Sequence, residues 1–121
     1  MQYSIVSRNL IFIFLIFFIV TPHMTQAYYT GIAANCAGVF NVYVTDCNGK
    51  VIRNKGRVNC ASQHILDWYD APSVYCVHLN PQLHPKDNRY KYVQNSDSCF
   101  ELRGNEISWS FHDKELSDCQ H

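Results

Sequence analysis

Cys99–His112 reads CFELRGNEISWSFH, and this stretch decides the fold because its strand register can be worked out. Two strand-like runs flank Gly104-Asn105, a pair suited to a two-residue hairpin loop with positive φ at the glycine. Such a loop sets Arg103 opposite Glu106, Leu102 opposite Ile107 and Phe100 opposite Trp109. The large apolar side chains then share one face, and a one-residue slip would scatter them. The other face carries Cys99, Glu101, Arg103, Ser108, Ser110 and His112.

Upstream, RYKYVQN (89–95) is a strand with Tyr90 and Tyr92 on one side, and SVYCVHL (73–79) is another. In the latter, Tyr75, Val77 and Leu79 face the core while Cys76 and His78 face away. VFNVYVT (39–45) alternates Phe40, Val42 and Val44 with Asn41, Tyr43 and Thr45 and ends in CNG. A three-residue Cys47-Asn48-Gly49 loop with Gly49 left-handed pairs Asp46 with Lys50 and Val44 with Ile52, matching charges and faces. Residues 53–59 are basic, contain Gly56 and read as a loop. From Ser62 to Asp70, Ile65, Trp68 and Tyr69 recur at helical spacing, Asn59 or Ser62 can cap the start, and Asp70-Ala71-Pro72 stops the run. YYTGIAANCAG (28–38) has small residues and no period, and reads as an extended lead-in pinned by Cys36. Hairpin, short helix and antiparallel strands in that order predict an α+β domain, a small disulfide-stabilised antiparallel sheet with one short helix packed on it.

Residues 1–27 read as a secretory signal peptide. Arg8 precedes the apolar run LIFIFLIFFIV, and Thr25-Gln26-Ala27 supplies a small-residue end, so cleavage is expected before Tyr28. Residues 28–121 then form a single secreted, cysteine-rich domain with a modest core. All six cysteines, Cys36, Cys47, Cys60, Cys76, Cys99 and Cys119, fall in it. An even count in an oxidising compartment implies three disulfides, each contributing about 2–4 kcal/mol. Spacing does not fix the connectivity. We expect Cys36 to pair with Cys119, the outermost two, because chain ends fray unless tied down. No Cys-x-x-Cys occurs, and His78 with His84 lacks a third ligand at matching spacing, so neither a metal nor another cofactor is expected. No Asn-x-Ser/Thr acceptor occurs either.

Charge is balanced overall, ten Lys and Arg against ten Asp and Glu, which gives no global bias toward nucleic acid or acidic membranes. Its distribution is uneven. Lys50, Arg53, Lys55 and Arg57 form one basic strip, Lys86, Arg89 and Lys91 a second, and the C-terminal end is acidic. With Lys91, the first strip is the candidate polyanion-binding surface; the plainer reading is a solvated face. His78, Glu101, Arg103 and His112 are the candidate catalytic set. Two histidines and a carboxylate can serve as general acid and base, and an arginine can stabilise the charge that develops when a phosphodiester is cleaved. That set requires both groups of strands to lie in one sheet; otherwise these are common polar residues on solvated strands.

With its leader, a cysteine near each end of the mature chain and its element order, the pattern over residues 36–119 resembles the ribonuclease-like secreted effectors of plant-pathogenic fungi, which share the fold of the small fungal guanyl-specific ribonucleases. The resemblance implies that His78, Arg103 and His112 match catalytic positions of those enzymes. The strand that should supply their glutamate reads RYKYVQN and offers none, and the helix is shorter. Glu101, the nearest substitute, is two residues from Arg103 on one strand, where the two pair and leave a poorer base. The expectation is therefore a secreted, monomeric, non-enzymatic effector-type protein that binds a host protein or RNA. The rivals are a secreted ribonuclease or ribotoxin-like enzyme, and an extracellular inhibitor or defence protein.

Overall fold

The computed structural model describes residues 26–120, so the expected leader lies outside the described residues except for its last two positions. Eight strands form: β1 (Tyr28–Ala37), β2 (Val39–Thr45), β3 (Val51–Asn59), β4 (His64–Ala71), β5 (Val74–Pro81), β6 (Arg89–Gln94), β7 (Ser98–Asn105) and β8 (Trp109–Lys114). They make two four-stranded sheets, ordered β4-β1-β7-β8 and β3-β2-β5-β6. The inner faces share one core, with Ile32, Ile65, Leu66, Phe100 and Leu102 from the first sheet against Phe40, Val42, Val44, Tyr75, Val77 and Leu79 from the second. The result is a β-sandwich. There is no α-helix among the described residues, so the α+β expectation and its likeness to the guanyl-specific ribonuclease fold are overturned.

The expected helix is strand β4, and bulges explain the misreading. Against β1, Leu66 pairs with Ile32 but His64 pairs with the next residue, Ala33, leaving Ile65 unpaired; a second irregularity follows Trp68. Bulges break the two-residue alternation, so Ile65 and Leu66 are both buried and the spacing of Ile65 and Trp68 imitates a helical turn. β1 is no lead-in. It is the inner strand between β4 and β7, parallel to β7 over Thr30–Ala37. Its small residues follow from burial on both faces. A Cβ on Gly31 would strike the Tyr29 hydroxyl and come within 3.0 Å of Cys119 Cβ, where the C-terminal segment crosses the sheet.

The basic run 53–59 is an edge strand rather than a loop. β3 pairs only with β2, and bulges at Ile52 and Lys55 break its register. Charge and bulging on an edge discourage pairing with other chains. The CNG turn closes as expected with the Asp46 N–H on the Lys50 carbonyl at 2.9 Å and Gly49 at φ +98°. The bulge then sets Val44 opposite Arg53 instead of Ile52.

The β7–β8 hairpin also moves. Asn105 accepts the N–H groups of Ile107 and Ser108 on Oδ1 at 2.9 and 2.8 Å, so the turn spans Asn105–Ser108, not Gly104-Asn105. Leu102 faces Phe111, Arg103 faces Ser110, Glu101 faces His112 and Trp109 faces Gly104. The slip is four residues, an even number, so Phe100, Leu102 and Trp109 keep their buried face, whereas Ile107, expected beside them, falls in the turn and is exposed. Gly104 is obligatory there. Its φ is +110°, and a Cβ would collide with the Ser108 carbonyl and lie 2.8 Å from Trp109 Cα.

The disulfides are Cys36–Cys60, Cys47–Cys76 and Cys99–Cys119, and the described cysteines include no free thiol. The expected Cys36–Cys119 pair is wrong because Cys36 ends a strand on the inner side and meets the 3-10 turn Cys60–Ser62, which carries the chain from β3 to β4. Cys119 instead pins the tail to the outer side of β7, beside Tyr29 and Cys99. Non-reducing peptide mapping should recover these three linked pairs; a peptide joining Cys36 to Cys119 would contradict the fold.

Candidate functional site

The polar face of β7 and β8 is the outer face of the first sheet. Glu101 is its hub, its side chain only 13% exposed, with Arg103 Nε at 2.9 Å, His112 Nε2 at 3.0 Å and Lys114 Nζ at 3.5 Å. Both carboxylate oxygens are engaged. Arg103 and Lys114 are themselves exposed and His112 is half-buried.

His78 is elsewhere. It alternates with the buried Val77 and Leu79 and so projects from the outer face of the second sheet. Of the expected catalytic set, then, Glu101, Arg103 and His112 come together while His78 faces the other way. The two strand groups belong to different sheets, which removes the shared face that a four-residue site required.

The outer face of the second sheet holds an open groove of about 840 Å³. Tyr43, His78 and Tyr90 are directly opposite one another on β2, β5 and β6. Their rings stack, 4.7 Å and 6° between Tyr43 and His78, 5.4 Å and 29° between His78 and Tyr90, so both faces of the imidazole are covered. His78 Nε2 lies 3.0 Å from Thr45 Oγ1, which also accepts the Cys47 N–H at 3.2 Å. Asn88 gives its amide N–H to Tyr43 Oη at 2.8 Å. In the next row, Asn41 donates to Asn80 Oδ1 at 2.8 Å. Asn54, Gly56 and Arg57 of β3 form one wall, and the Cys47–Cys76 disulfide lies at one end. No carboxylate lines the groove, and Arg57 is its one formally charged residue.

Of these residues, His78 and Arg57 are among the candidate site residues of the sequence. The signal for the rest was already in the alternation of β2, whose outward positions are Asn41, Tyr43 and Thr45. What was missing was the knowledge that β2 and β5 are neighbours.

Burial pushes the His78 imidazole below the ordinary histidine value, with Asn88 opposing in part. A base weakened by folding leaves the unfolded chain holding more protons as pH falls through about 6.5. Stability is therefore fully present above that pH and lost on acidification. His78→Gln should flatten the fall in melting temperature between about pH 7 and 5; an unchanged slope would remove His78 from the account.

Lys50, Arg53, Lys55 and Arg57 lie along the exposed β3 edge and its turn, and no ion pair among the described residues involves them. Lys91 does not join them. It is on β6, the opposite edge of the sheet, 3.6 Å from Asp113 and over the Phe111 ring, where it helps close the side of the sandwich. Among the described residues no cluster of three His, Cys, Asp or Glu could hold a metal ion.

No family model, no curated protein and no solved structure matches the chain. Function has to be argued from these surfaces. The three disulfides themselves point to a small stabilised protein of an extracellular, oxidising environment.

Proposed function

We propose that the protein is a secreted effector-type module that works by binding a host partner and does not cleave it. The observation that carries this is the division of the acid–base residues: His78 faces outward from one sheet, and Glu101, Arg103 and His112 from the other. A general base must reach the proton it removes, and Glu101 is occupied by the side chains of Arg103, His112 and Lys114. Between a host protein and an RNA, the β3 edge supports the RNA. Arg53, Lys55 and Arg57 are exposed beside the turn that carries Lys50, and no ion pair among the described residues involves them, so they can meet phosphates.

The test is incubation of the oxidised protein with a guanine-containing single-stranded RNA, followed by both cleavage on gels and binding by anisotropy. No cleavage is expected. Binding should weaken steeply with salt, and an Arg53→Gln, Lys55→Gln variant should lower the salt slope by about two. Cleavage by wild type that disappears in His112→Ala would overturn the reading.

A further inference from the structure

We infer that the groove on the second sheet is a separate site for a short acidic oligosaccharide, a chain of sugar rings bearing carboxylates. This goes beyond the edge-strand reading and shares with it Arg57 and the premise that the protein binds without cleaving. The groove's size, about 840 Å³, is within the range of about 300–1,000 Å³ found for small-molecule sites.

Aromatic rings and side-chain amides both line its floor. The imidazole of His78 is sandwiched between Tyr43 and Tyr90, so neither of its faces can receive a planar ligand. The polar groups beside it are neutral and two-sided. Asn41 spends one N–H on Asn80 Oδ1, which leaves the Asn41 carbonyl as an acceptor and the Asn80 amide as a donor. Sugar hydroxyls both donate and accept, and they match such a row of amides and hydroxyls.

Charge selects the acidic member of the class. Arg57 alone is charged in the lining, no carboxylate opposes it, and a guanidinium takes a carboxylate in two parallel hydrogen bonds. Asn54 stands on the same wall, and its Oδ1 accepts the Gly56 N–H at 2.9 Å. Asp in its place keeps that bond and adds one negative charge facing the ligand.

The experiment titrates the full oxidised protein with tetragalacturonate, with its methyl ester and with the neutral cellotetraose, by calorimetry. Tetragalacturonate should bind, and the two uncharged probes about tenfold or more weakly. Arg57→Gln and Asn54→Asp should each weaken tetragalacturonate about tenfold, while Lys55→Gln, on β3 but outside the groove lining, should leave it unchanged. Thermal melts verify that each variant is folded; both groove positions are exposed, so no core cavity opens. No binding by wild type would overturn the inference, as would an equal loss in Lys55→Gln and Arg57→Gln, which would mean only that the basic edge attracts any polyanion. Cleavage of tetragalacturonate would instead overturn the binding-only premise.

Discussion

Trp109→Ala is expected to cost about 3–5 kcal/mol, the usual price of deleting a large buried aromatic. The residue is 7% exposed and meets the Phe40 ring edge-on at 5.2 Å, so its ring fills space between the sheets. Its other contacts fasten β8 to β6. The Arg89 guanidinium sits 3.9 Å above the ring, the indole N–H donates to Asp87 at 2.8 Å, and Arg89 donates to the Trp109 carbonyl and pairs with Asp87 at 3.0 Å. Asp87 is half-buried, and Arg89 first and then the indole hold its carboxyl below the ordinary value. Removing the ring therefore leaves a void and strips partners from an ion pair at the seam. Small domains have only about 5–15 kcal/mol in total, so the variant should fail to accumulate as a folded species. Near-ultraviolet circular dichroism and a melt within a few degrees of wild type would refute this.

Replacing both Cys36 and Cys60 by Ala is expected to lose about 3 kcal/mol and to lower the melting temperature by more than about 10 °C. The crosslink closes a separation of 24 residues and buries Cys60 completely. It clamps the end of β1 in the first sheet to the turn that leaves β3 of the second, so its removal frees the unfolded chain and loosens one end of the sandwich. Losing Cys99–Cys119 should cost less than this, since that bridge ties down a tail on the outer face. If the two double variants melted together, the clamp would have no special role.

Where large apolar residues alternate with others along a strand, the sequence could be read. β5 showed Tyr75, Val77 and Leu79 against Cys76 and His78, and the structure buries the first three completely. The β7–β8 hairpin kept Phe100, Leu102 and Trp109 on one face although its turn moved and took Ile107 out to solvent, because an even slip preserves parity and the Asn105 side chain selected a longer turn. Besides β3, whose basic, bulged edge read as a loop, two kinds of element misled. β1 is covered on both sides, so it carries no alternation; β4 contains bulges, so its alternation is broken into a helical rhythm. Those two strands complete the first sheet, and without them the second layer could not be inferred. The candidate site failed for the same reason. His78 and His112 look equivalent along the chain, each on the polar side of a strand, and only the division into two layers separates them. The groove escaped notice because its residues come from β2, β3, β5 and β6, and no local window contains them together.

The parallel pairing of β1 with β7 governs how the chain reaches its fold. Thr30 and Ser98, which meet through their hydroxyls at 2.9 Å, are 68 positions apart. Loop closure over that distance must be met before any contact rewards it, so the topology belongs with slowly folding β proteins, on a scale of milliseconds to seconds. During synthesis, at about 5–20 residues per second, β1 emerges first and stays without its parallel partner for several seconds. A nascent chain halted before residue 98 can pair β1 with β4 but cannot assemble the first layer. It should therefore be cut readily by protease, and resistance should appear only once 98–114 are present.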